Sequence, residues 1–207
     1  MRTWLLALLF APFAALAQQG AIVTVLQGNV TVEQGAPAPK PAVVFAKLQA
    51  GDRLQLAADA VLQLVYFANG RQETWRDRAR IEIGEEASKA AAGAAPASVK
   101  QLPPMLVRQL VKTPTADSSG KVGAVRLRAI VPPDAMQRLE KNYAALRAQT
   151  DASDRTPELY LLAGLFELKE YERIETMLAG WQRSQPADAA LLAIAEHYRA
   201  AMRAAPK

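Results

Sequence analysis

The stretch that decides the fold is Leu62-Gln63-Leu64-Val65-Tyr66-Phe67-Ala68-Asn69-Gly70-Arg71. Its apolar residues at positions 62, 64 and 66 repeat with a period of two, which is typical of a β-strand with one buried face. An Asn-Gly pair after such a run is a strong signal for the turn of a β-hairpin. The stretch therefore predicts two antiparallel strands joined at residues 69–70.

The same alternation extends over residues 20–84. The alternating apolar groups are Ile22, Val23 and Val25; Val30 and Val32; Leu54 and Leu56; Leu62, Leu64 and Tyr66; and Ile81 and Ile83. Six or seven short strands in about 65 residues predict a small barrel, sandwich or coil of strands. Because proline cannot donate to a sheet, the cluster Pro37, Pro39 and Pro41 predicts a projecting loop over residues 35–42.

Residues 1–17 have the pattern of a secretory signal peptide. Arg2 precedes an apolar run over residues 5–16, and Ala15 and Ala17 occupy the positions that signal peptidase reads. The run would be about 18 Å long as a helix, shorter than the ~30 Å hydrocarbon core of a bilayer. We expect export to the bacterial periplasm, with no transmembrane segment after cleavage; a retained signal anchor is the alternative.

Composition excludes several functional classes. The chain has 207 residues, of which 51% are hydrophobic, as in ordinary globular proteins. The absence of cysteine excludes disulfides, cysteine-ligated metals and thiol nucleophiles, and a single histidine, His197, excludes multi-histidine metal sites. We predict no metal site and no cofactor.

Residues 85–131 are predicted to be an Ala/Pro-rich and basic connector. Within it, residues 102–111 permit a short helix. Alternation of Val125, Leu127 and Ala129 with two arginines permits one further strand.

Helical periodicity dominates residues 132–207. Apolar residues three and four apart predict four amphipathic helices with short connections. They are Met136, Leu139, Tyr143 and Leu146; Leu159, Leu162, Ala163 and Phe166; Ile174, Met177, Leu178 and Trp181; and Leu191, Leu192, Ala195, Tyr198 and Met202. Thr156 and Pro157 have the order of a helix cap and a first-turn proline.

Three stretches of the strand half resemble a known family, the FecR-like domain of bacterial envelope proteins. They are Gly28-Asn29-Val30-Thr31-Val32, Leu48-Gln49-Ala50-Gly51-Asp52-Arg53-Leu54, and residues 62–71 continuing to Ala79-Arg80-Ile81-Glu82-Ile83. The resemblance covers about residues 20–84 and implies a small all-β domain over residues 18–84 with a role in envelope signalling or assembly. At residues 57–60 the chain departs from the family, which has a threonine-glycine pair there.

The helical half is similar to one tetratricopeptide-like unit. Leu162, Ala163 and Phe166 match its first helix, Tyr171 and Ile174 match its second helix, and Pro186 matches its closing turn. A divergent repeat and an unrelated helical bundle both remain open. The predicted fold class is α+β in two parts: a small all-β domain followed by an α-helical hairpin region.

The hairpin is the candidate interaction surface. Its aromatic and basic residues are Tyr66, Phe67, Trp75, Arg76, Arg78 and Arg80. Adjacent strand residues point to opposite faces, so either Tyr66 or Phe67 is exposed or covered by the helical half. The alternative interpretation of this surface is an interdomain packing face.

The connector is the second candidate surface. Residues 99–130 contain one acidic residue, Asp117, and six basic ones: Lys100, Arg108, Lys112, Lys121, Arg126 and Arg128. Such a segment suits anionic lipid headgroups, cell-wall glycans or an acidic protein face, and a solvated linker is the alternative. Nucleic acid is disfavoured because no aromatic residues are interleaved with these cations.

Candidates for catalysis are weak. Ser118 and Lys121 have an S-x-x-K spacing but lack the partner motifs of penicillin-recognising enzymes, and His197 lies on a helix without other ligands nearby. The sequence therefore predicts an exported, periplasmic, non-enzymatic protein-interaction module whose partners are envelope proteins. The alternative is a glycan- or peptidoglycan-binding module in which Trp75 and Tyr66 stack on sugar rings.

Overall fold

The computed structural model describes residues 19–35, 38–91, 93–116, 122–123, 132–151 and 154–205. The strands are β1 (Gln19–Gln27), β2 (Val30–Glu33), β3 (Lys40–Pro41), β4 (Lys47–Gln49), β5 (Arg53–Leu56), β6 (Val61–Tyr66), β7 (Arg71–Arg76), β8 (Ala79–Ile83), β9 (Ser88–Ala90), β10 (Ser98–Gln101), β11 (Thr115–Ala116) and β12 (Val122–Gly123). The helices are α1 (Pro104–Leu110), α2 (Ala135–Ala148), α3 (Thr156–Glu167), α4 (Tyr171–Ser184) and α5 (Ala189–Ala204).

Ten of these strands form two five-stranded antiparallel sheets. Sheet A has the order β10-β7-β6-β1-β4, and sheet B has the order β3-β2-β5-β8-β9. The two remaining strands, β11 and β12, pair with each other. The described parts therefore confirm an α+β fold.

The predicted hairpin is the link between β6 and β7. Leu62 lies opposite Trp75 in the antiparallel register, and the turn occupies residues 67–70. Gly70 has a φ of +73°, and a Cβ there would lie 2.9 Å from Cγ2 of Val107 on α1. Glycine is required at this position both by the backbone conformation and by the close approach of the helix.

The inner faces of the two sheets pack together as a sandwich. From sheet A, Leu62, Leu64 and Tyr66 are fully buried in this core, and Leu54 and Ile81 of sheet B face them. The alternation that predicted the strands is thus the alternation between the sandwich core and the opposite face of each sheet.

The outer face of sheet A is also covered. Ile22 on β1 and Val65 on β6 are fully buried in a second apolar cluster, which they share with residues from every helix. Helix α5 contacts β1 directly. The molecule therefore has three layers in this region: sheet B, sheet A and the helices.

The four predicted C-terminal helices are confirmed, with α3 as the central one. Ten consecutive residues of α3, from Thr156 to Leu165, are buried. Gly164 permits close packing against α2, since a Cβ there would lie 2.3 Å from Cδ1 of Leu139. Glu158, 5% exposed, accepts hydrogen bonds from Nη1 of Arg147 at 2.9 and 3.0 Å, which satisfies a carboxylate that is otherwise costly to bury.

The cap predicted at Thr156 is wrong by one residue. Arg155 is the N-cap, and Thr156 is the first residue of α3. The threonine N–H donates 3.0 Å to the carboxylate of Asp154 instead. An upstream acid thus takes the capping role that the sequence suggested for the threonine.

The predicted domain boundary at residue 84 is too early. Strand β9 pairs with β8 in sheet B, and β10 pairs with β7 in sheet A, so the chain from residue 85 to residue 101 completes both sheets. The predicted short helix in the connector is confirmed as α1. The predicted signal peptide over residues 1–17 and the strand at Val125, Leu127 and Ala129 lie outside the described residues.

Candidate interaction site

Two of the predicted surface aromatics are buried. Tyr66 is 0% exposed and Trp75 is 2% exposed, because both side chains lie on the sandwich side of sheet A. The prediction that they form a contact surface is therefore wrong. Tyr66 shares its face with Leu62 and Leu64, so the alternation in β6 indicated a buried position, whereas β7 has no apolar alternation that would show which way Trp75 points.

These aromatics belong to a buried polar cluster around Glu73, which is 1% exposed. Its carboxylate accepts from Nε1 of Trp75 at 3.1 Å, from Nε of Arg71 at 2.6 Å and from the N–H of Ser88 at 3.4 Å. The hydroxyls of Tyr66 and Ser88 are 2.6 Å apart, and burial raises the pKa of Tyr66. Because Ser88 lies in sheet B and the other residues lie in sheet A, the cluster ties the two sheets together.

Phe67 is half-buried and packs on the opposite side from Tyr66, against the apolar cluster shared with the helices. The structure thus supports the interdomain packing interpretation for this residue. A cavity of about 220 Å³ lies beside it. The cavity is lined by Phe67, Ala68, Asn69, Gly70, Pro104, Val107, Arg108 and Val111.

Helix α1 and its C-cap, Val111, carry two exposed apolar side chains, and Val111 lines this cavity. Met105 is 37% exposed and Val111 is 40% exposed, and they are two of the five large apolar side chains exposed in the described part of the chain. Helix α1 buries the opposite side through Leu106, Val107 and Leu110. Met105, Arg108 and Val111 follow one another at a spacing of three residues, so they lie along one exposed side of the helix, and we name this surface the α1 patch.

The α1 patch carries positive charge. Arg108 is exposed and has no ion-pair partner among the described residues. Nζ of Lys47 donates 3.0 Å to the backbone carbonyl of Val111, a neutral partner that leaves its charge uncompensated. Burial lowers the pKa of Lys47, so Arg108 is the more firmly charged of the two.

In the described part of the predicted basic connector, most of the positive charges are paired with carboxylates. Lys100 lies 3.3 Å from the carboxylate of Asp154, and Lys112 lies 2.8 Å from that of Glu167. Arg108 alone of its three described cations lacks such a partner. The other predicted members, Lys121, Arg126 and Arg128, lie outside the described residues.

The arginines of the hairpin region do not form one surface. Arg76 ends β7 on the side of sheet A away from the sandwich core, and Arg78 lies in the turn before β8. Arg80 lies on the outer face of sheet B. Arg76 and Arg80 therefore lie on different sheets, and Arg78 lies in the turn between their strands.

Sheet B has an open outer face with a groove of about 530 Å³. One row of register partners across four strands places Glu33, Arg53, Glu82 and Lys89 side by side. Nε of Arg53 is 3.3 Å from the carboxylate of Glu82 in the middle of this row. Sequence reasoning missed the groove, although the alternation of apolar and charged residues in β5 and β8 marks one solvent-facing side.

His197 is a buried packing residue on α5. It is 8% exposed, its Nε2 lies 2.6 Å from the carbonyl oxygen of Pro114, and its ring centroid is 4.6 Å from that of Phe45. Burial lowers its pKa. The contact fastens the chain that follows α1 onto α5, and it leaves this histidine little access to a substrate.

The remaining catalytic candidates find no support here. Ser118 and Lys121 lie outside the described residues. Within the described ranges, no group of three or more His, Asp or Glu side chains could hold a metal ion. No helix in this part of the chain is both long enough and apolar enough to span a bilayer.

Comparison with known proteins adds no assignment. No protein-family model, curated protein or solved structure matches this chain.

Proposed function

We propose that this protein is an exported, periplasmic, non-enzymatic protein-interaction module of the bacterial cell envelope. In this proposal the sandwich is a FecR-like domain, extended by β9 and β10, and the helical layer is tetratricopeptide-like. The α1 patch makes the contact with an envelope protein. The observation that carries the proposal is the exposed side of α1 formed by Met105, Arg108 and Val111, of which Arg108 and Val111 line the cavity.

Exposed apolar side chains next to a cavity are typical of protein contact sites. The cavity beside Phe67 offers a place for an apolar anchor of the partner, and such anchors supply most of the binding energy at protein interfaces. Arg108 and Lys47 at its border favour a partner face with acidic residues around that anchor.

The glycan-binding alternative has lost the residues on which it depended. Tyr66 and Trp75 are buried in the sandwich core and cannot stack on a sugar ring without unfolding of sheet A. No specific observation on the described surface replaces them, so we retain protein interaction as the proposed function.

The test is photo-crosslinking in cells. A photo-reactive residue replaces Met105 in the tagged full chain, cells are irradiated, and the adducts are identified by mass spectrometry. Leu192 on α5 is the matched control, because it is apolar and has the same 37% exposure as Met105. N-terminal sequencing of the periplasmic fraction tests export separately, with Gln18 as the expected first residue.

We expect one dominant protein adduct from position 105 and none from position 192. Introducing Arg108→Glu into the chain that carries the photo-reactive residue should reduce that adduct severalfold by reversing the charge beside the cavity. The same adduct from both positions, or adducts only to glycan or lipid, would contradict the proposal.

A further inference from the structure

The groove on the outer face of sheet B lies on a different layer from the α1 patch. We propose that it binds a short, extended peptide that carries a cationic and an anionic side chain about four residues apart. The charges at the two ends of the groove and the polar groups on its floor support this proposal. It does not depend on the proposed function of the α1 patch.

The charges in the groove are separated by sign. In the middle, Arg53 and Glu82 pair with each other and largely cancel. At the β2 end, Glu33 is exposed, and at the other end Arg80 and Lys89 are exposed. None of these three has an ion-pair partner in the described part of the chain, so the groove is negative at one end and positive at the other.

The distance between the ends suits a peptide. Glu33 and Lys89 belong to the same row and are separated by three strand spacings across β5 and β8. Three spacings of about 4.8 Å give about 14 Å, and an extended chain covers this distance in about four residues at ~3.4 Å each.

The floor of the groove offers hydrogen bonds between the two ends. Thr31 and Gln55 are register partners on β2 and β5, and both line the groove. Neither side chain has a hydrogen-bond partner in the described part of the chain. A hydroxyl and a carboxamide can each donate and accept, which matches the N–H and C=O groups of a peptide backbone.

Other ligand classes fit less well. The residues that line the groove include no aromatic side chain for stacking on a sugar ring. A purely anionic polymer would place negative charge against Glu33, and a purely cationic one would place positive charge against Arg80 and Lys89. A ligand with both signs of charge satisfies both ends.

The probe is a blocked, fluorescently labelled peptide with the sequence Lys-Ser-Ser-Ser-Glu. Binding to the mature full-length protein is measured by fluorescence anisotropy at low salt. Peptides with glutamate at both ends or lysine at both ends are the comparison ligands. We expect the peptide of mixed charge to bind roughly fivefold more tightly than either of these, since each comparison ligand replaces one favourable charge contact by a repulsive one.

Charge reversal in the protein provides the second arm. The double variant Arg80→Glu with Lys89→Glu should weaken binding of the mixed-charge peptide severalfold, whereas Arg76→Glu on sheet A should leave it unchanged. Glu33→Lys should make the doubly acidic peptide the preferred ligand. All of these side chains are exposed, and an unchanged melting temperature checks that each variant is folded.

Absence of binding by all three peptides would overturn the proposal, and so would equal affinity of the wild type for all three. Loss of binding in Arg76→Glu as large as in the double variant would also overturn it. None of these results bears on crosslinking at position 105, so failure of this inference and failure of the proposed function are distinguishable.

Discussion

Sheets A and B have the same number of strands but different surroundings. Sheet A is buried on both faces, by sheet B on one side and by the helices on the other. Sheet B is buried on one face and open to solvent on the other, where its charged row and groove lie. Strand β6 of sheet A accordingly ends in three consecutive buried residues, whereas β5 of sheet B alternates strictly between exposed and buried positions.

The difference indicates that sheet A serves mainly the stability of the fold, whereas the outer face of sheet B is available for binding. A sheet that is covered on both faces cannot bind a partner through either face. Substitutions of buried residues in sheet A should therefore lower the free energy of unfolding. The open face of sheet B contributes little to the core, so its residues are free to bind. Three measurements test this division, and a fourth tests the buried histidine that joins α5 to the chain after α1.

Trp75→Ala should have the largest effect. The side chain is 2% exposed and its removal leaves a cavity in the sandwich core next to the buried carboxylate of Glu73. We expect a loss of about 3–5 kcal/mol in the free energy of unfolding, measured by urea denaturation. Arg76→Ala, one residue further on and exposed, is the control and should change stability little.

Ile22→Ala tests the other face of sheet A. Ile22 is fully buried in the cluster shared with the helices, so we expect a loss of about 2–4 kcal/mol. In a Trp181→Phe background, which leaves Trp75 as the tryptophan of the mature chain, the helical signal in circular dichroism and the fluorescence should change together, because this cluster joins the two layers. Two separate transitions, with only the helical one shifted, would show that the layers unfold independently.

Lowering the pH should destabilise the folded protein through the buried ring of His197. Burial holds the pKa of His197 below its usual value near 6.5. At a pH between the folded-state and unfolded-state pKa values, the unfolded chain therefore binds a proton at this residue and the folded protein does not. The free energy of unfolding should therefore fall as the pH drops below about 6.5, until the folded-state pKa is passed.

The His197→Gln variant is the control for this pH dependence, since glutamine can donate to the carbonyl of Pro114 but does not titrate. The quantity to compare is the change in unfolding free energy between pH 7.5 and pH 5.0. An equal change in the wild type and in the variant would show that His197 is not its source.

Arg53→Ala should have the smallest effect. Its side chain is 69% exposed, and its ion pair with Glu82 lies on the open face of sheet B. We expect the unfolding free energy to stay within about 0.5 kcal/mol of wild type, since exposed ion pairs contribute little. A loss larger than about 1 kcal/mol would mean that the outer face of sheet B is part of the structural core.

Local patterns predicted most of the elements. The hairpin at residues 62–71 and the four C-terminal helices follow from periodicities that neighbouring residues fix by themselves. Strands β9 and β10 were not predicted, because edge strands need no apolar alternation. All four residues of β10 are exposed. They form because β7 and β8 offer unpaired edges, which depends on the whole fold.

The candidate site was harder to predict than the elements. Whether Trp75 or Met105 is exposed depends on which layer covers each surface, and the sequence of β7 or α1 does not contain that information. Phe67 and Arg108 were candidate interaction residues from the sequence, one for its aromatic ring and one for its charge. The structure brings them together at one cavity. Their proximity follows from the approach of α1 to Gly70, which no spacing in the chain reveals.

The segment from β8 through β9 to β10 completes both sheets, so it determines which fragments of the protein can fold without open sheet edges. A fragment ending at residue 84 would lack one of the two outer strands of each sheet, β10 and β9, and would leave the backbone edges of β7 and β8 open. Open edges pair readily with those of other molecules, so we expect such a fragment to self-associate. Extending it through Gln101 restores both edges but uncovers Ile22 and Val65, so the smallest unit that stays monomeric includes the helices.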